Sequence, residues 1–112
     1  MSGHVDVSVL VPAKDEAENL PELMRLAAES LSPAPFSFEV VVVDDGSRDG
    51  SAEVLRQLQD TYPWLRVVTH RRQRGIADGL RSAREAASGD VLVFYPADLQ
   101  YLPADIPALV SL

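Results

Sequence analysis

Val40–Ser51 reads V-V-V-V-D-D-G-S-R-D-G-S, and this stretch decides the fold. Four β-branched residues in succession are too few for a helix and too apolar for an exposed strand. They predict a strand buried on both faces, the environment of a parallel sheet covered by helices. The run stops on two carboxylates, Asp44 and Asp45, followed by Gly46 and Gly50. Ligands of open parallel α/β sheets bind outside the carboxyl ends of the strands, so acidic groups placed there face a crevice. Asp, Gly and Ser are also ordinary turn and cap residues. That plainer role is assigned to Asp49 and Ser51, which precede the helical pattern Val54, Leu55, Leu58. It does not suit the Asp44–Asp45 pair, because a cap needs only one carboxylate.

Upstream, Val7–Val11 (V-S-V-L-V) is a second β-rich apolar run, stopped by Pro12. A polar loop, P-A-K-D-E-A-E-N-L, then leads into a helix in which Leu20, Leu23, Met24, Ala27 and Leu31 recur at helical spacing. Glu16, Glu18 and Glu22 load its start with acid, as the macrodipole favours, and Pro33 and Pro35 end it. Downstream, a helix over roughly Ser51–Thr61 turns Val54, Leu55, Leu58 and Tyr62 inward. Leu65–Thr69 is a third strand, with Trp64 before it as a partly buried packing residue. Gly75–Ser88 is a third helix, with Ile76, Leu80, Ala83 and Ala87 inward and Gly89 as its left-handed C-cap. Val91–Tyr95 is a fourth strand, broken at Pro96, and a last helix starts near Pro103.

Repeated strand–helix units with right-handed crossovers predict one α/β domain over residues 1–112. Its sheet is Rossmann-like, four-stranded and mostly parallel, in the order 3-2-1-4, flanked by helices. A switch point then falls beside the first strand, and Pro12–Glu16, Asp44–Asp45 and Pro96–Gln100 converge on one crevice although no two are adjacent in sequence.

Composition narrows the chemistry. With 46% hydrophobic and 24% charged residues the chain is of ordinary soluble globular type, without a membrane-spanning apolar run or a signal-peptide plan. The absence of cysteine excludes a disulfide scaffold and a thiolate metal site, and is compatible with the cytosol. A net charge of −7 argues against nucleic acid as a partner; the basic cluster Arg71, Arg72, Arg74 is local. The crevice is expected to hold Asp15, Glu16, Asp44, Asp45, Asp98 and Gln100, with Lys14 and the arginines nearby. Such oxygen ligands suit Mg²⁺ or Mn²⁺ rather than zinc. A metal bridging a carboxylate to a diphosphate neutralises charge as the diphosphate departs. There is no G-x-G-x-x-G after the first strand and no G-x-x-x-x-G-K-[ST], so neither a dinucleotide fold nor a P-loop is supported. The histidines, His4 and His70, lie outside these motifs, so no Ser/His/Asp arrangement is expected.

Three strings in this order and spacing carry a resemblance: V-S-V-L-V-P-A-K-D-E-A-E-N-L, V-V-V-V-D-D-G-S-R-D-G-S and G-D-V-L-V-F-Y-P-A-D-L-Q. Together they resemble family 2 glycosyltransferases with the GT-A fold. Within these, R-G-I-A-D-G-L and A-D-L-Q are most similar to the polyprenyl-phosphate sugar transferases of the dolichol-phosphate mannose synthase type. The resemblance implies a GDP- or UDP-sugar donor, a divalent metal (Mg²⁺ or Mn²⁺) and inversion at the anomeric carbon. It implies that Pro12, Ala13, Lys14, Glu16, Asp44, Asp45 and Arg74 line the nucleotide, with Asp45 accepting from the base, and that Asp98 and Gln100 serve the metal and diphosphate. It further implies a polyprenyl phosphate acceptor and a cytoplasmic location, peripheral at the membrane face. Two departures matter. Pro96 stands where the family usually has the first aspartate of D-A-D-L-Q. The chain also ends before the family's acceptor-binding segment, so no catalytic base is assigned, and self-association or a need for the missing half is expected, with no sugar transfer by the chain alone. A rival reading is a nucleotide-diphosphate-binding or regulatory module that does not catalyse. A sugar-phosphate nucleotidyltransferase would need a glycine- and arginine-rich loop after the first strand, and P-A-K-D-E is not one.

Overall fold

The computed structural model describes residues 5–95. Seven elements alternate along them: β1 (Val5–Ala13), α1 (Leu20–Leu31), β2 (Phe38–Asp45), α2 (Ser51–Thr61), β3 (Leu65–His70), α3 (Ile76–Ala86) and β4 (Gly89–Phe94). The strands form one parallel sheet in the order β3-β2-β1-β4, as expected. The core valines Val40–Val43 are at most 1% exposed, and full burial of such a side chain contributes about 1.5–3 kcal/mol. Their alternation divides them between two cores. Val40 and Val42 join Val9, Val11 and the α1 residues Leu20, Leu23, Met24, Ala27 and Leu31, with Leu55 of α2. Val41 and Val43 join Leu10 and Ala83 of α3. Helices α1 and α2 therefore lie on one face and α3 on the other. This is the arrangement right-handed crossovers require when the chain steps from β1 through β2 to β3 and then returns to β4.

Several boundaries differ from the sequence reading. β1 runs through Pro12 to Ala13 instead of stopping there. Val7 donates its amide to Ser37 O, toward β2, so by alternation the nitrogen of Pro12 faces the β4 side. Pairing there ends at Leu10↔Phe94, and the missing N–H interrupts no described ladder bond. Gly89 is the first residue of β4 and not a left-handed cap. Helix α3 instead ends on extended Ala87. A Cβ on Gly89 would lie 2.6 Å from Ser8 Oγ and 2.7 Å from Ser8 N, so close approach to β1 is what excludes a side chain. Ile76 is 66% exposed rather than inward; buried Gly79 packs toward Pro12 and Val43 in its place. Trp64 is partly buried, its ring 5.1 Å from Phe38 and 5.0 Å from Tyr62.

β4 is the open side of the structure. Val91, Leu92 and Phe94 are 42–51% exposed, while Val93 packs against the larger core. Between α3 and the sheet lies a cleft of about 360 Å³ lined by Leu10, Ala77, Leu80, Arg81 and Arg84. Ile106 and Leu109 lie outside the described residues, as does the helix expected near Pro103. Among the described residues no helix is long and apolar enough to cross a membrane.

Candidate functional site

At the carboxyl end of the sheet the loops after β1, β2 and β3 are fastened to one another. Asp15 adopts φ 54°, unusual for a residue with a side chain, and its position explains why. Its amide donates to Ser47 Oγ at 2.8 Å, and its carboxylate accepts from Arg48 N at 2.7 Å. The Arg48 amide and the Lys14 ammonium, at 3.0 Å, hold the Asp15 carboxyl below the usual carboxylate range. Asp49 completes the seam, accepting from Ala17 N at 3.0 Å and from the amide and hydroxyl of Ser51 at 3.1 and 2.5 Å. Asp49 and Ser51 thus have the turn role expected of them through their mutual bonds, Asp49 adding the long-range contact to Ala17, although Gly50, at φ 90°, is the α2 N-cap residue. Glu16 turns toward the start of α1: its carboxylate accepts from Asn19 Nδ2 at 2.9 Å and its carbonyl from Leu20 N at 3.0 Å.

The second seam joins β2 to the β3–α3 loop. Gly46, at φ 73°, lies directly beneath that loop, and a Cβ on it would sit 2.6 Å from Gln73 N and 2.8 Å from Arg72 C. Only glycine meets both the backbone angle and the closeness. Next to it, buried Asp45 accepts from Arg74 N (2.8 Å, Oδ1) and Gly75 N (2.9 Å, Oδ2), the amides that lead into α3. A carboxylate at a helix start also meets the favourable end of the macrodipole.

Contrary to expectation, a histidine reaches this site. Register pairs Asp45 with His70 across β2 and β3, and His70 Nδ1 lies 2.9 Å from Asp45 Oδ1. Its Nε2 lies 2.7 Å from Ser82 Oγ on α3. Burial pushes the Asp45 carboxyl up, but the bonds from His70, Arg74 and Gly75 prevail and leave it lowered. An ionised carboxylate only accepts, so Nδ1 carries the proton; in the neutral ring Nε2 then accepts from the Ser82 hydroxyl. The order Ser–His–Asp is that of a hydrolytic triad. Its chemistry is not: the loop amides of the site, Arg74 N and Gly75 N, bind Asp45, at the end of the ring opposite Ser82, and so offer nothing to an oxyanion there. The sequence contained one signal for this contact. Counting by twos from Val41 and Val43 reaches Asp45, and from Arg66 and Val68 reaches His70, so both belong to the α3 face.

Asp44 faces the opposite side, is 2% exposed and accepts from Ser47 N at 3.2 Å. Ala13, its register partner on β1, is buried beside it, and Pro12 is half-buried. Arg74 is exposed, its Nε 3.6 Å from Asp78. The Pro12–Glu16 loop and the Asp44–Asp45 pair thus stand at one end of the sheet, with Arg74 beside them. Pro96, Asp98 and Gln100 lie outside the described residues. Among those described, no group of three or more acidic or histidine side chains is placed to hold a metal ion.

The chain matches the family model described as "Glycosyl transferase family 2" over residues 8–112. It is 39% identical over 108 residues to an undecaprenyl-phosphate 4-deoxy-4-formamido-L-arabinose transferase of Pseudomonas savastanoi pv. phaseolicola, covering 95% of this chain and 32% of that protein. A dolichol-phosphate mannosyltransferase of Pyrococcus furiosus is 38% identical over 105 residues, with 94% of this chain and 29% of its own length covered. Among solved structures, a mannosyltransferase of Pyrobaculum calidifontis in complex with GDP-Man and Mn²⁺ superposes with a TM-score of 0.83 at 31% identity, over 97% of this chain and 32% of that one. The chain therefore spans about a third of the length of these relatives. With a family match that runs from within β1 to the last residue, and a sheet that superposes so closely, the chain belongs to glycosyl transferase family 2.

Proposed function

We propose that this chain is the donor- and metal-binding part of an inverting glycosyltransferase, which moves a sugar from a GDP- or UDP-sugar to an acceptor such as polyprenyl phosphate. The observation that carries the reading is the fastening of the first three loops around Asp44 and Asp45 at the switch point, where open parallel sheets bind ligands. The relatives' substrates and the GDP-Man complex support the same donor class. In this reading Pro12, Ala13, Lys14, Glu16, Asp44, Asp45 and Arg74 line the nucleotide. A carboxylate has about four acceptor positions. Three on Asp45 are taken internally, and the remaining one, on Oδ2, accepts from the base. The Arg74 guanidinium faces the phosphates.

Asp98 and Gln100 supply oxygen ligands for Mn²⁺ or Mg²⁺, and the chemistry provided there is charge neutralisation on the diphosphate. The Mn²⁺ in the Pyrobaculum relative supports the choice of metal. The reading places the protein in the cytoplasm, peripheral at the membrane that holds the acceptor. The exposed β4 face is where a second copy or a further segment packs. A non-catalytic nucleotide-diphosphate-binding module is the second reading, favoured by Pro96 in place of a metal-site carboxylate; sugar transfer by the protein would exclude it.

Nucleotide affinity is expected to rise on addition of Mn²⁺, and the gain to vanish in Asp98→Ala. Pro96→Asp should enlarge it by adding a carboxylate. Calorimetric affinities that are the same in chelator and in Mn²⁺ would remove the metal role.

A further inference from the structure

We propose that His70 is a positioning residue of the donor site: held between Asp45 and Ser82, its imidazole sets the Asp45 carboxylate so that this group fixes the β3–α3 loop at the crevice. The inference rests on the nucleotide reading above. His70 is buried, 5% exposed, at the last position of β3, and both ring nitrogens are engaged. Burying a polar ring at a strand end is unfavourable unless each nitrogen finds a partner, and here each does. Ser82 is anchored by α3 and His70 by the sheet, so the ring spans two elements that pack on each other only through this face.

The consequence is directional. Asp45 Oδ1 receives both Nδ1–H and the Arg74 amide, while Oδ2 receives Gly75 N. A carboxylate can rotate about its Cβ–Cγ bond, and because its two oxygens are equivalent, two loop amides fix its plane less firmly than three donors do. The imidazole, anchored at its far end by Ser82, is the third donor and fixes that plane. One acceptor position, on the oxygen that meets Gly75 N, stays uncommitted, and Arg74, whose side chain is exposed, stays at the mouth of the site. The loop held in this way passes over side-chain-free Gly46, where a Cβ would sit 2.6 Å from Gln73 N and 2.8 Å from Arg72 C.

Three variants separate positioning from stability. His70→Asn keeps an N–H near the Nδ1 position but loses Ser82. His70→Gln reaches Ser82 but leaves Asp45 without its side-chain donor, and His70→Leu loses both contacts while still filling space. Two readouts are needed: affinity for UDP and GDP with Mn²⁺, measured at a temperature where every variant is folded, and hydrogen exchange of the Arg74 and Gly75 amides. His70→Gln and His70→Leu are expected to lose amide protection and about tenfold in affinity, as for one bond to a charged group, while His70→Asn, which keeps the donor to Asp45 without its Ser82 anchor, is expected to lose about threefold. The parent's imidazole should show the Nδ1–H tautomer by nitrogen-15 NMR. Unchanged protection and affinity in His70→Leu, with only a lowered melting temperature, would reduce His70 to a structural residue and overturn the proposal. Lost protection with unchanged affinity would overturn its donor-site half. If the parent binds neither nucleotide, the nucleotide reading itself fails, and the exchange result still decides whether His70 fixes the loop.

Discussion

Asp45→Ala is expected to weaken nucleoside diphosphate binding about ten- to a hundredfold, the loss of a charge-assisted hydrogen bond. It should also lower stability by about 3–5 kcal/mol, because His70 Nδ1–H and the amides of Arg74 and Gly75 lose a common buried acceptor, at roughly 1–3 kcal/mol for each orphaned donor and with partial relaxation. Asp49→Ala is the matched control. Its carboxylate is exposed and local to the β1–β2 seam, and its removal should leave affinity nearer the parent's. Calorimetry on both variants, with urea titration for stability, separates the two effects. Asp45→Asn serves where alanine does not fold: its amide oxygen still accepts from one side, while its NH₂ confronts a donor on the other. Equal affinity for parent, Asp45→Ala and Asp49→Ala would remove Asp45 from the donor site.

The second large effect lies at the opposite end of the sheet. Glu39 is 2% exposed and its carboxylate accepts from Ser8 Oγ at 2.6 Å, from Ser88 N at 2.7 Å, from Ser88 Oγ at 3.1 Å and from Arg66 Nε at 2.6 Å. These bonds join β1, β2, β3 and the α3–β4 connection at the point where β4 enters the sheet. Glu39→Ala should cost about 2–4 kcal/mol, chiefly from the buried amide of Ser88 and hydroxyl of Ser8, since the mostly exposed Arg66 can return to water. Burial raises the Glu39 carboxyl, but the bonds from Ser8, Ser88 and Arg66 outweigh it and hold it below its ordinary value. A depressed carboxylate contributes stability that is present above its unfolded value, about pH 4.3, and lost as pH falls through the folded value. Asp45 contributes in the same direction from about pH 3.9 downward. Urea midpoints measured from pH 7 to pH 3 should therefore fall in the parent, and fall less steeply in Glu39→Ala. Parallel acid limbs in the two proteins would contradict the assignment.

The features that were legible in the sequence are those written in short-range pattern. The valine run ending on Asp44 and Asp45, the apolar spacing from Leu20 to Leu31 and the alternation of strands with helices determine the sheet order, because right-handed crossovers leave few alternatives. The site's polar contacts depend instead on register between strands far apart in sequence. Asp45 and His70 meet only because Val40 pairs with Leu65, and Ser82 joins them only because α3 crosses the face that carries Val41 and Val43. Glu39 reads locally as the polar edge of an apolar run, yet its parity with Val41 turns it into the interior. Gly89 reads as a helix stop, and its actual constraint is the proximity of Ser8. Pro12 reads as a strand stop, and the strand passes through it where no described partner needs its N–H. Asp98 and Gln100, which carry the metal proposal, lie outside the described residues and rest on the family resemblance.

Calorimetric titration of the 112-residue chain with GDP and UDP in Mn²⁺, with the nucleosides and pyrophosphate as controls, tests donor recognition by this protein. Saturable one-to-one binding of a nucleoside diphosphate is expected, tighter than that of the nucleoside or pyrophosphate alone, because in the proposed function the Asp44–Asp45 end of the sheet recognises the base and the metal the diphosphate. Absence of binding by both nucleotides to the folded chain, or binding no tighter than that of pyrophosphate, would contradict it.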